Sequence, residues 1–466
     1  MLTSSKMTRR AMLARAGGGL GGVALAATLD NAGLLAADSS ATHLPPRTTR
    51  VIQIFAAGGP SQVDTFDPKP DLAKYDDQLV ADVDAAYHRN LPEIASGMGR
   101  LSGKFFGSPF KFKQHGESGL PISELFPNVA RYADDLCVIR SMQTTSSVHE
   151  LAGLMTFTGS FAFVRPSIGA WTVYGLGSAN QNLPAFVAMG GQSPNSANVF
   201  LPAWTAGTRI VGNATAGAEE MLNHLRSHTT SLREQRRQLD LLKQMNESHL
   251  AERTGDSWLE GRIGAFETAF RMQVEASDAF DIGREPRRIR EMYGETDQGG
   301  KLLLARRLVE RGVRYVQVYH PGWDTHEDND NRHRTLAREA DQPLAALIED
   351  LKQRDMLKDT LVIWGGEFGR TPTTDVNGKR KIRGRDHNAG GYSILMAGGG
   401  VKGGHIHGST DRFGAVATEG KMEVHDLHAT VLGLMGLDHE RLTYRHAGRD
   451  FRLTDVHGRV FSEIFA

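Results

Sequence analysis

Leu361-Val362-Ile363-Trp364 is an unbroken apolar run set between Lys358-Asp359 and Gly365-Gly366-Glu367-Phe368-Gly369-Arg370-Thr371-Pro372. A strand without alternation is buried on both faces, as strands are in parallel sheets covered by helices on each side. Two glycines let the backbone turn tightly, and Glu367 and Arg370 follow at the strand's carboxyl end. In open α/β sheets that edge is where ligands bind. A carboxylate there suits a cation and a guanidinium an anion, while Pro372 argues against continuation as a helix or strand. The competing reading, a glycine-rich turn closed by a surface ion pair, ranks second because other strand ends carry the same residue types.

Val51 to Ala57 reads as the first core strand and runs into Gly58-Gly59-Pro60-Ser61-Gln62-Val63-Asp64-Thr65-Phe66-Asp67. Leu136 to Arg140 is a second, followed by Ser146-Ser147-Val148-His149-Glu150 and a helix start at Leu151 to Phe157. Val313 to Tyr319 delivers His320-Pro321-Gly322-Trp323-Asp324-Thr325-His326, and a helix from Leu336 to Leu351 leads to the opening strand. Lys381 to Gly391 holds Arg385-Asp386-His387-Asn388, ahead of a strand at Tyr392 to Ala397. Strand, helix and strand at this spacing predict right-handed parallel crossovers. The fold class is therefore α/β, a mostly parallel central sheet flanked by helices. Residues 71–120 read as loop-rich cover, and Ser123 to Ala130 as the start of a short helix. Leucines near helical spacing from Gly217 to Asp281 predict a charged helical insert, an antiparallel pair packed on the core. Val424 begins a final amphipathic helix, and short strands and turns follow from Thr443 to Val460.

With 466 residues the chain is long enough for one large α/β domain or two smaller ones. Lysine plus arginine equals aspartate plus glutamate at 54 each, which points away from nucleic acid and from anionic membrane surfaces. The single cysteine, Cys137, excludes an internal disulfide framework and a cysteine-based zinc cluster. Arg9-Arg10, the weakly apolar run from Ala14 to Leu29 and the small residues Ala36-Ala37 have the pattern of a twin-arginine signal over residues 1–41. That run is too broken for a membrane span and too glycine-rich for a good helix. The expectation is a periplasmic or otherwise exported protein, handled by the twin-arginine machinery, with one domain over 42–466.

The strand ends gather carboxylates and imidazoles. Such a set ligates divalent metals, zinc tolerating the nitrogens and calcium, magnesium or manganese preferring the oxygens. Asp324, His326, Glu367, Asp386 and His387 are the leading metal-site residues, with Asp64 and His149 next. Each has a plainer alternative as an ion pair or cap; for Asp64 it is a turn-capping carboxylate. His425 and His428 lie on a helix and read as packing or capping residues. Arg370 would hold phosphate or sulfate oxygens in a fork, and the metal would polarise the ester.

These motifs — Gly58 to Asp67, Gly322 to His326, Gly365 to Thr371, Gly384 to Asn388 and Asp426 to Thr430 — resemble the bacterial family called domain of unknown function 1501, grouped with the alkaline phosphatase and sulfatase superfamily. The resemblance covers nearly everything after residue 50. It implies an alkaline-phosphatase-like three-layer αβα sandwich with a metal site at the carboxyl edge of its sheet. Phe126 to Gly159 resembles the sulfatase segment that presents the nucleophile; the nucleophile position falls on His149, with Ser146 and Ser147 just before it. The sulfatase cysteine is absent, Gly58-Gly59 replaces the superfamily's first acidic pair, and Glu367-Phe368 stands where it has aspartate-histidine. The leading expectation is an exported metal-dependent hydrolase of a phosphate or sulfate ester, such as that of an anionic polysaccharide, with Ser147 or water attacking and Arg370 clamping the anion. The alternatives are a catalytically silent protein that binds an anionic glycan or a partner on the same fold, and a scaffold that uses the helical insert.

Overall fold

The computed structural model describes residues 42–83, 101, 103–180, 182–191, 194–214, 231–251, 277–375 and 383–466. The expected signal segment, 1–41, and most of the expected insert, 217–281, lie outside the described residues. The compact unit spans His43–Ala466.

In chain order the principal described elements are β1 (Arg50–Ala56), β2 (Leu136–Gln143), α1 (His149–Thr158), α2 (Ile168–Leu176), β3 (Phe186–Met189), β4 (Thr208–Ile210), α3 (Leu232–Ala251), α4 (Asp297–Glu310), β5 (Tyr315–His320), α5 (Asn329–Gln353), β6 (Thr360–Gly365), β7 (Gly369–Thr374), β8 (Arg385–Asn388), β9 (Tyr392–Ala397), β10 (His405–His407), β11 (Met422–Glu423) and α6 (Val424–Leu434). The central sheet has nine strands in the order β10-β2-β9-β6-β1-β5-β3-β4, with β11 added on β2. Every pairing in it is parallel except the two made by β9.

Strand side chains alternate between two cores, which makes three layers. Ile52, Val316, Val362 and Leu395 join Leu304 and Leu308 of α4 and Leu344 and Leu347 of α5 on one face. Val51, Tyr315, Leu361 and Ile394 join Trp171 of α2 and Val431 of α6 on the other. Slipping any strand by one residue would exchange these faces, so burial on both sides holds the register. Cys137 is sealed in the second core, where burial pushes its thiol up to about 12. No described helix is long and apolar enough to cross a membrane.

Register also aligns the strand ends. Ala56 of β1 faces His320 of β5, and Phe55 faces Gly365 of β6. The loops after β1, β5 and β6 therefore leave the sheet at one level, carrying Gly58, Asp324 and Glu367. After β6 the chain makes a separate ribbon, β7 against β8, at that same edge. β9 starts there after a short connection, so it must run back down the sheet; only parallel neighbours need a long crossover.

Several local expectations are corrected. Pro372 does not end a strand: it sits inside β7. Between the Arg385–Thr374 and His387–Arg370 pairs β7 has three residues where β8 has one, so Pro372 lies within a bulge of β7, opposite Asp386, and no ladder N–H is demanded of it. The short helix expected from Ser123 begins at Val129 as a 3-10 helix, its first N–H groups bonded to the Asp341 carboxylate of α5. α5 itself starts at Asn329 rather than Leu336, because its polar first turns pack Asn329 and His333 beneath the site.

Candidate metal centre

Asp324 follows β5 and is 44 % exposed. Three imidazoles, one from the same loop and two from distant parts of the chain, present Nε2 to its Oδ1: His326 at 3.0 Å, His387 at 3.1 Å and His149 at 3.3 Å. The Nε2 atoms of His326 and His387 are themselves 2.8 Å apart. His149 Nε2 is buried without a hydrogen bond of good geometry. Ligand atoms of His149, Asp324 and His387 all lie within 4.8 Å of one another, as do those of His326, Asp386 and His387.

The far nitrogen of each ring is fixed by an oxygen. His149 Nδ1 lies 2.6 Å from Glu367 Oε1, His326 Nδ1 3.0 Å from Asp375 Oδ2, and His387 Nδ1 2.6 Å from the Ser147 carbonyl. Anchoring one nitrogen sets the tautomer and aims the other, as at metal-ligating histidines. Glu367 is held in turn by the N–H of Gly58, at 3.0 and 3.2 Å from its two oxygens. Gly58 has φ +112°, and a Cβ there would come within 2.3 Å of the Asp324 backbone nitrogen, so only glycine lets the two strand ends close.

The electrostatics agree with a cation site. Burial alone would raise the Asp324 carboxyl, but His149, His326, His387 and Arg370 outweigh it and hold it well below the usual carboxylate range. Burial opposes a charge on His149, yet Asp324 and Glu367 push it up to about 9; Asp324 likewise raises His326. These nitrogens gather around negative charge and favour a positive one. Imidazole nitrogens converging with a carboxylate oxygen are a donor set for zinc or a related divalent ion.

The sequence-expected residues divide. Asp324, His326, His387 and His149 come together with their ligand atoms facing. Asp386 sits at the bulge, its Oδ1 accepting from His387 N at 2.8 Å and lying 3.8 Å from His326 Nδ1. Glu367 is at the centre as an acceptor that aims His149, not as a converging ligand. Asp64 is elsewhere: fully buried, it takes Arg385 in a two-point pair at 2.8 and 3.0 Å and accepts from Asn329 Nδ2 at 3.1 Å. Burial raises its carboxyl but Arg385 overcomes this, down to about 2. Neither metal binding nor turn capping describes it. Arg370 is not an open fork: fully buried, it donates to the carbonyls of Gly58, Gly59 and Arg385 and to Asp324 Oδ1. Ser147 reaches the centre through its carbonyl. His425 and His428 bond the carbonyls of Gly159 and Thr156 at 2.9 and 2.8 Å, tying α6 to α1.

Asp375 was missed by sequence reading. It lies just beyond β7 and 49 positions from His326, a separation no local pattern signals; its only mark is an acidic residue closing Thr371-Pro372-Thr373-Thr374.

Residues 48–465 match the family described as protein of unknown function (DUF1501). The chain belongs to this family. No curated protein sequence matches it. Among solved structures it is similar to Ps i-CgsB in complex with k-i-k-neocarrahexaose (11 % identity, 84 % of this chain and 72 % of the other, TM-score 0.36). It is similar also to the PsFucS1 sulfatase from Pseudoalteromonas sp. (13 %, 84 % and 69 %, 0.36). A third is the phosphonate monoester hydrolase SpPMH from Silicibacter pomeroyi (13 %, 67 % and 68 %, 0.32).

Proposed function

We propose that this chain is a divalent-metal-dependent hydrolase of phosphate or sulfate esters, exported along the twin-arginine route. One observation carries the reading: the Nε2 atoms of His149, His326 and His387 converge within 3.3 Å of a single Asp324 oxygen. A divalent ion held by these residues supplies Lewis acidity toward an ester oxygen. The chain's own groups prepare that role. Glu367, Asp375 and the Ser147 carbonyl hold the Nδ1 protons, so each ring offers Nε2. Arg370 fixes Asp324 and the Gly58-Gly59 turn, acting as a positioning residue. The attacking oxygen comes from Ser147 or from water. The position of Arg370 favours a second reading, a metal-holding but catalytically silent binding protein, because the expected anion clamp is already bonded.

Elemental analysis of the purified full chain, with turnover of aryl phosphate and aryl sulfate, tests both. Bound metal with turnover, both abolished by Asp324→Ala, is the expected result. Metal without turnover selects the binding protein, and a chain that neither carries nor takes up metal overturns both.

A further inference from the structure

A cleft of about 390 Å³ opens directly onto the ligand cluster, with His149, Asp324 and Glu367 among its walls. This is the size of sites that take small molecules. Away from the ligands its lining is aromatic and apolar: Phe55, Leu154, Phe157 and Tyr319. The rings pack as one apolar wall of the cleft, Phe55 lying 4.6 Å from Phe157 and 5.8 Å from Tyr319 between centroids, with the two phenylalanines largely buried and Tyr319 half-buried. Such a surface favours an offset or tilted ring laid against it.

Two further observations say what this surface receives. Gly153 sits inside α1, where glycine is among the poorest helix formers. Its absent side chain is not forced by crowding, since a Cβ there would meet only Phe157, at 4.0 Å. What glycine does preserve is open volume in the cleft it lines. The charge also points one way. Among the described lining residues there is no lysine or arginine, and Glu150, exposed in the first turn of α1, adds a negative charge beside the centre. A chain of phosphates or sulfates would need cations on this wall.

We infer that, given the hydrolase reading on which this rests, the ester carries an uncharged, ring-sized apolar group seated against Phe55, Phe157 and Tyr319. A second anion near the ester is turned away by Glu150. A polyanionic chain laid along this wall would meet no lysine or arginine among its described lining residues.

Calorimetric titration of the zinc-loaded full chain with phenylphosphonate, methylphosphonate and 4-carboxyphenylphosphonate tests this without turnover. Phenylphosphonate is expected to bind at least tenfold more tightly than methylphosphonate, and the carboxylated probe more weakly than phenylphosphonate. Gly153→Leu should bring the phenyl-to-methyl ratio close to one with an undiminished thermal midpoint; Gly153→Ala, which adds a single methyl group, should lower the ratio partway if the leucine variant does not fold. Glu150→Gln should recover binding of the carboxylated probe several-fold. Equal binding of phenyl and methyl probes to the native chain, or a ratio unmoved by both Gly153 variants, overturns the inference and leaves the hydrolase reading standing. Zinc-loaded protein that binds none of the probes overturns the hydrolase reading and the inference with it.

Discussion

Two carboxylates at the same sheet edge have opposite fates. Asp64 and its partner Arg385 are both fully buried and answer each other, with Asn329 taking a remaining lone pair. Asp324 is part-exposed and meets three imidazoles whose nitrogens crowd one oxygen. In the first case every polar group has its partner inside the protein. In the second, like groups are gathered and aimed at one place, which is costly unless something positive sits there. The contrast is sharpened by chain position: Arg385 closes the sealed pair, and His387, on the same strand β8, belongs to the open cluster. Saturation marks a residue that holds the fold, and convergence of several imidazole nitrogens on one part-exposed carboxylate oxygen marks a site.

The largest test of this division is Asp64→Ala. It leaves Arg385 buried and unpaired, and should cost about 3–5 kcal/mol of stability, read as a fall in the denaturant midpoint. If the variant is as stable as the parent, the sealed pair is not structural. His387→Ala should do the reverse: unfolding changes little in metal-free protein, while zinc affinity falls more than a hundredfold, roughly 3 kcal/mol. Equal zinc affinity would remove His387 from the ligand set.

Acid separates the regions by a different route. Burial keeps His333 neutral and pulls it from 6.5 down to about 4. The unfolded chain therefore binds a proton across that window that the folded chain refuses, and stability falls as pH drops from about 6.5 to 4. Asp64, lowered from 3.8 to about 2, keeps its contribution above its unfolded value and loses it as pH falls through that lower range. His333 amounts to about 3 kcal/mol and Asp64 to about 2 kcal/mol. Denaturant unfolding of the chelated protein at several pH values should show decline beginning near 6; a flat profile down to pH 4 would contradict the burial of a neutral His333. The smallest effect belongs to the residues that aim the rings. Glu367→Gln should weaken zinc binding roughly 10- to 100-fold, less than loss of a ligand, and a loss as large as that of His387→Ala would make Glu367 a ligand after all.

Much of the scaffold is legible in the chain. Leu361 to Trp364 and Val51 to Ala57 announce strands because burial on both faces demands apolar runs, Val313 to Tyr319 announces one by alternation, and the glycines after them announce the turns. The ribbon of β7 and β8 is not announced, since Pro372 in a strand is allowed only where a bulge removes the demand for its N–H. Within the site, Asp324, His326 and His387 stand out as acid-imidazole pairs after strands, whereas Asp375 carries no local mark.

Sequence by itself determined the α/β alternation, the kinds of side chain brought to the strand ends and the family, because periodicity and motif are local properties. Only the tertiary structure decided which carboxylate meets an arginine and which meets imidazoles, and that Arg370 is bonded inward. Asp64 and Asp324 are the same residue type after comparable strands. Their roles differ because partners distant in the chain, Arg385 for one and His149 for the other, are placed by packing and register that no short stretch of chain encodes.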